Sequence, residues 1–160
     1  MYRLLSAVVL GLWSLSVPAV EVPATVDLAA DGAAARRAGV PVMLMFSATY
    51  CGYCDLLEAE ILRPMLISGD YDDKVVIRKL VLDEADEVRG FDGRMVSPDW
   101  LMGEYDVYVT PTLVFLSPEG RVLAGNIVGV NTLELFGGRV DAAIAEARAR
   151  IAGAGIAASR

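Results

Sequence analysis

Histidine is absent from the 160 residues, and cysteine occurs only at Cys51 and Cys54. Without imidazole the chain has no Cys-His nucleophile and no His-ligated metal site. Two sulfurs fall short of the four ligands of structural zinc, so zinc would need carboxylates or a second chain; Cu(I), which accepts two thiolates, stays open. Cations are also scarce, 14 Lys and Arg against 21 Asp and Glu, for a formal charge of -7. An acidic surface argues against nucleic acid and anionic membrane as partners. Long apolar runs are lacking too: Leu4 to Leu15 is interrupted by Ser6, Gly11 and Ser14 and is shorter than the roughly 20 apolar residues of a membrane-spanning helix. Internal repeats are absent. The length suits one domain with a real core.

What is present begins with a leader pattern. Residues 1–19 carry one early cation, Arg3, an uncharged apolar stretch and then Val17-Pro18-Ala19, which reads as a signal peptide cleaved after Ala19. Cleavage would remove Arg3 and no acid, making the mature chain more acidic by one charge. An uncleaved leader would instead leave a membrane-anchored form. Residues 20–24 read as an extended linker, residues 25–151 as the folded domain and residues 152–160 as a flexible tail.

Within the domain, Asp27 to Ala38 has helix start and stop signals: an acid at its head, Arg36-Arg37 near its end and Gly39 beyond. Pro41 to Phe46 (P-V-M-L-M-F) predicts a buried strand, Ser47 to Tyr50 a turn, and Asp55 to about Leu66 a helix whose first turn carries both sulfurs. Pro64 should kink or shorten its far end. Lys74 to Leu82 predicts a second strand, parallel to the first through a right-handed crossover. Residues 84–104 read as a loop, then a short helix near Pro98 to Tyr105. Val107 to Leu116 predicts a third strand, Ser117 to Gly120 a tight turn, Arg121 to Val130 the returning strand, and Leu133 to Ile151 a last helix.

Spacing limits what the two cysteines can be. A bridge over two residues closes a very small loop and removes little entropy from the unfolded chain, so it is a poor staple. The redox reading is favoured, with a weak staple or a metal clip left as alternatives.

The segment F-S-A-T-Y-C-G-Y-C-D-L-L-E, followed by V-T-P-T-L-V-F-L-S-P-E-G-R, resembles the exported bacterial thioredoxin-like proteins found with sulfur-oxidation and disulfide-handling systems. The resemblance covers about residues 25–151. It implies a thioredoxin fold, an α/β architecture with a central mixed sheet flanked by helices, with residues 84–104 inserted before the cis-proline strand. It also implies thiol:disulfide oxidoreductase activity without cofactor or metal, through a redox-active Cys51–Cys54 disulfide. Cys51 would be the attacking thiolate, favoured by the helix N-terminus, and Cys54 the resolving thiol. Pro111 would follow a cis bond, exposing the Thr110 backbone to a substrate strand; Gly52, Tyr53 and Tyr50 would complete the substrate-binding surface. Two departures stand out. Met45 occupies the place of the family's buried aspartate, removing the usual proton acceptor for Cys54. Glu58 could stand in, but the expected reading of it is an exposed acid on the helix surface. Tyr50 replaces a tryptophan and is expected to cover one side of the sulfurs.

Gly52-Tyr53 is the dipeptide of exported disulfide isomerases, which share a threonine before the cis proline. Asp55 and Glu58 oppose a thiolate nearby. Both point to reduction or isomerisation rather than primary oxidation. Those isomerases dimerise through a separate N-terminal domain for which this chain has no room, so the expectation is a monomeric periplasmic reductase of exported protein disulfides. A membrane electron-transfer protein would recharge it. The competing class is a binding module for Cu(I) delivery or apocytochrome handling. Metal-carrying relatives add Met or His ligands, whereas Met43 and Met45 here are expected to face the core or a helix.

Overall fold

The computed structural model describes residues 20–158; the expected signal peptide lies outside them. Four strands form one sheet in the order β2-β1-β5-β6, from β1 (Val42–Ser47), β2 (Val76–Val81), β5 (Thr112–Leu116) and β6 (Val122–Val128). β1 is parallel to β2 and antiparallel to β5, and β5 is antiparallel to β6. This is the expected mixed sheet. All six residues of β1 are buried, as an apolar strand covered on both faces requires. The two-residue period sends Val42, Leu44 and Phe46 into one core and Met43 and Met45 into the other.

The Val42 side of the sheet is covered by α1 (Leu28–Ala38), with Leu28 and Ala35 buried, and by Leu101 of α4 (Pro98–Glu104). Asp27 caps α1 by accepting the Ala30 N–H at 2.9 Å, and Gly39, at φ 70°, closes it. The Met45 side is covered by α5 (Leu133–Ala158) through Phe136, Val140, Ile144 and Ala147, and by the helix that follows the cysteines. α5 runs past the expected end at Ile151. Its continuation is rich in alanine, and extending a formed helix costs far less than nucleating one.

The helix after the cysteines begins at Gly52, earlier than the expected Asp55. It runs as α2 (Gly52–Leu57), a π turn (Glu58–Leu62) and α3 (Arg63–Ser68). Pro64 explains the wide turn. Its ring would collide with the carbonyl four residues back, and the i-to-i−5 bond from the Arg63 N–H to the Glu58 carbonyl opens the helix just before it.

Residues 20–24 are docked rather than a free linker. The Lys79 N–H donates to the Pro23 carbonyl at 2.9 Å, the Thr25 N–H donates to the Lys79 carbonyl at 2.8 Å, and Val22 is buried. The segment thus pairs with the outer edge of β2 at Lys79. The insertion contains a small hairpin absent from the sequence reading, β3 (Val88–Arg89) with β4 (Met95–Val96), before the expected helix α4. Its Phe91 ring lies against Gly32 and Gly120. A methyl group at Gly32 would sit 2.4 Å from the Pro118 carbonyl oxygen and 2.9 Å from the ring.

Candidate active site

β1 delivers the chain to the cysteines at the carboxyl end of the sheet. Ser47 is buried, its carbonyl accepts the Leu82 N–H at 2.9 Å, and the Thr49 N–H donates to Asp83 at 2.8 Å. That bond stabilises the charged form and holds the Asp83 carboxyl below its ordinary range. Tyr50 then adopts φ 59°, left-handed backbone that a non-glycine residue rarely takes. Its ring is fully exposed. The expected cover over the sulfurs is therefore not supplied by Tyr50, because this backbone turn sends the side chain outward.

Cys51 is the N-cap of α2, and its sulfur accepts the Cys54 N–H at 3.2 Å. Cys51 and Cys54 are joined as a disulfide. The two sulfurs are not equivalent: Cys54 is 1% exposed within the Met45-side core, whereas Cys51 is only half-buried. The Thr110 hydroxyl lies 3.5 Å from the Cys51 sulfur, and the Thr110–Pro111 peptide is cis. Two bonds fix this loop: the Pro111 carbonyl accepts the Gly129 N–H at 2.8 Å, and Thr112 donates through its hydroxyl to the Val109 carbonyl at 2.8 Å. Gly52, Tyr53 and Leu56 line a shallow open hollow beside the disulfide. Tyr53, Tyr108 and Val109 are all exposed. Cys51, Gly52, Tyr53, Cys54, Thr110 and Pro111 thus converge on one end of the sheet, with Tyr50 at its rim.

Glu58 differs most from the sequence reading. It is 5% exposed, not a solvated surface acid, and both its carboxylate oxygens accept from Lys79 Nζ at 2.9 Å. One helical turn separates it from Cys54, whose carbonyl accepts the Glu58 N–H, so both face the sheet. Lys79 on β2 supplies the counter-charge that makes this burial tolerable. Met43 and Met45 are fully buried in that core. No group of three or more Cys, Asp or Glu among the described residues is arranged to hold a metal ion.

Solved structures with the same architecture include mitochondrial thioredoxin 3 from Saccharomyces cerevisiae in its oxidised form. It has 25% sequence identity and a TM-score of 0.50 over 75% of this chain and 94% of that one. The germline-specific thioredoxin Deadhead from Drosophila melanogaster is 21% identical, with a TM-score of 0.51 over 75% and 98% of the two chains. The likeness to Deadhead bears on the fold alone. The model of the thioredoxin-like domain matches residues 28–144, a span containing both cysteines, Glu58, Lys79 and the cis peptide. The chain therefore belongs to the thioredoxin-like domain family, and its Cys51–Cys54 pair makes it a thiol:disulfide oxidoreductase.

Proposed function

We propose that the protein works as a reductant of disulfides in exported proteins, in the periplasm, with Cys51 as the attacking sulfur and Cys54 as the resolving one. The observation that carries this reading is the asymmetry of the pair: one sulfur at the surface beside Thr110, the other enclosed. In the dithiol form, the Cys51 thiolate attacks one sulfur of the substrate disulfide. A Cys51–substrate bond forms, and the other substrate sulfur leaves as a thiolate that takes a proton from water. Cys54 then passes its proton to Glu58 and attacks the Cys51 sulfur. The Cys51–Cys54 bond forms as the second substrate thiolate leaves. Two electrons move from protein to substrate, and a membrane electron-transfer protein restores the dithiol.

An extended substrate segment lies along the Thr110 backbone beside Pro111, with Gly52 and Tyr53 below it and Tyr50 at the edge. The leader over residues 1–19 directs export, and the chain acts as a monomer. The likeness of Gly52-Tyr53 to the dipeptide of exported disulfide isomerases supports reducing or isomerising work over primary oxidation.

The reduced protein should release thiols from a protein disulfide, and Cys51→Ser should abolish the reaction. Cys54→Ser should trap a mixed disulfide visible by mass spectrometry. An unchanged rate in Cys51→Ser removes the mechanism. A reduction potential of about -200 mV or lower fits the reducing direction, whereas one near about -120 mV reverses it.

A further inference from the structure

We infer that the substrate segment is cationic, with Lys or Arg flanking the cysteine that Cys51 attacks. This inference rests on the reading above that the pair exchanges with polypeptide disulfides. The segments nearest the disulfide are rich in acids. Asp55 follows Cys54; the D-E-A-D-E turn from Asp83 to Glu87 is tied to the active-site loop through the bond from Thr49; Asp106 precedes Thr110. Each of these acids is exposed. The next exposed cation along that connection, Arg89, is engaged by Asp27 at 3.7 Å.

Charge at the other end of the sheet is closer to balance. There Arg36 at the end of α1, Arg121 after the β5–β6 turn and Arg150 late in α5 border a cleft of about 380 Å3. Glu119 and Glu146 pair with these arginines, and the exposed Asp70, Asp72 and Asp73 leading into β2 oppose them further. A cationic partner is thus drawn preferentially to the end that holds the sulfurs, the arrangement that steers encounter. At close range the Tyr50, Tyr53 and Tyr108 rings, 100%, 66% and 80% exposed, offer faces on which a Lys or Arg side chain can rest. Acids supply the long-range pull, and the rings supply the contact.

The test uses the whole chain, reduced with dithiothreitol and then freed of it. It is mixed with three peptide disulfides that differ only in having Lys, Glu or Ser on both sides of each cysteine. Lys also speeds exchange intrinsically by lowering the pKa of the leaving thiol, so each rate constant is divided by that of the same peptide with dithiothreitol. At low salt the normalised constant should be about tenfold or more higher for the Lys peptide than for the Glu peptide, and the ratio should collapse toward one in about 1 M salt. Combining Asp55→Asn, Glu84→Gln, Asp86→Asn and Asp106→Asn should lower the ratio at least threefold. Glu119→Gln with Glu146→Gln, at the other end, should not lower it. Equal normalised constants for Lys and Glu peptides at low salt, with exchange intact, would overturn the cationic substrate and leave the reductase reading standing. Absence of exchange with all three peptides would remove both.

Discussion

Arg78 and Lys79 are neighbours on β2, yet each serves a different carboxylate on a different side of the sheet. Arg78 Nε donates to Asp31 of α1 at 2.5 Å, and the second Asp31 oxygen accepts the Thr25 hydroxyl at 2.5 Å. Arg78 also donates to the Ile77 carbonyl at 2.7 Å. One buried acid thereby ties together the N-terminal segment, α1 and β2. Lys79 meets Glu58, where a single ammonium serves both oxygens. Asp31 is engaged from two directions, as a fastening should be. Glu58 is held at one point and shares its helix face with Cys54. The same chemistry on adjacent residues thus fastens the fold at Asp31 and, in the proposed mechanism, holds the carboxylate that takes up the Cys54 proton.

Removing Asp31 should produce the larger effect and a purely structural one. Asp31→Ala leaves Arg78 partly buried without its partner, and losing one member of such a pair costs about 3 kcal/mol or more. Chemical denaturation should read that loss. The exchange rate per folded molecule should stay at the wild-type value, because Asp31 lies on the side of the sheet away from Cys54. A large rate change without a stability change would erase the contrast.

Glu58→Gln should cost stability too, since it leaves Lys79 without its counter-charge, but unlike Asp31→Ala it should also slow the reaction. The side chain keeps its size but can no longer take a proton from Cys54, so resolution of the mixed disulfide should slow about tenfold near neutral pH, equivalent to about 1.4 kcal/mol in the barrier. The deficit should shrink at alkaline pH, where solvent hydroxide deprotonates the thiol, and Glu58→Asp should restore part of the rate. Stopped-flow rates against pH give the readout. A Glu58→Gln profile parallel to wild type would reduce Glu58 to a second fastening.

What the sequence disclosed follows how local each signal is. The strand before the cysteines, the redox pair itself and the Thr110–Pro111 strand entry are carried by a few adjacent residues, so the family resemblance and the mixed sheet were legible. Glu58 was not. Its burial depends on Lys79 arriving from a separate strand, and helical spacing alone assigns an acid beside apolar neighbours to either face. Tyr50 failed for the opposite reason: a single backbone angle of φ 59° overrides what the residue type suggests. The β3–β4 hairpin has only two residues per strand, too few for alternation to register. The docking of residues 20–24 depends on main-chain bonds to β2, which side-chain identities do not encode.

An exposed contact gives the scale against which both buried pairs stand. Tyr71, in the turn between α3 and β2, donates to Asp141 of α5 at 2.7 Å. That hydrogen bond is the main reason the phenol is raised from 10.0 to about 12, with burial and the charges of Asp141 and Asp70 adding to it. A folded-state pKa above the unfolded one favours the folded protein while the phenol is protonated. The contribution is full below about pH 10 and is lost as pH rises through about 12. At neutral pH, Tyr71→Phe should therefore cost only about 0.5 kcal/mol, as expected of one solvent-facing hydrogen bond. The gap from wild type should close as denaturation is repeated toward pH 12, with exchange rates unaffected throughout. A loss as large as that of Asp31→Ala would mean that exposure does not separate these carboxylates, and burial would no longer explain why Asp31 fastens the fold.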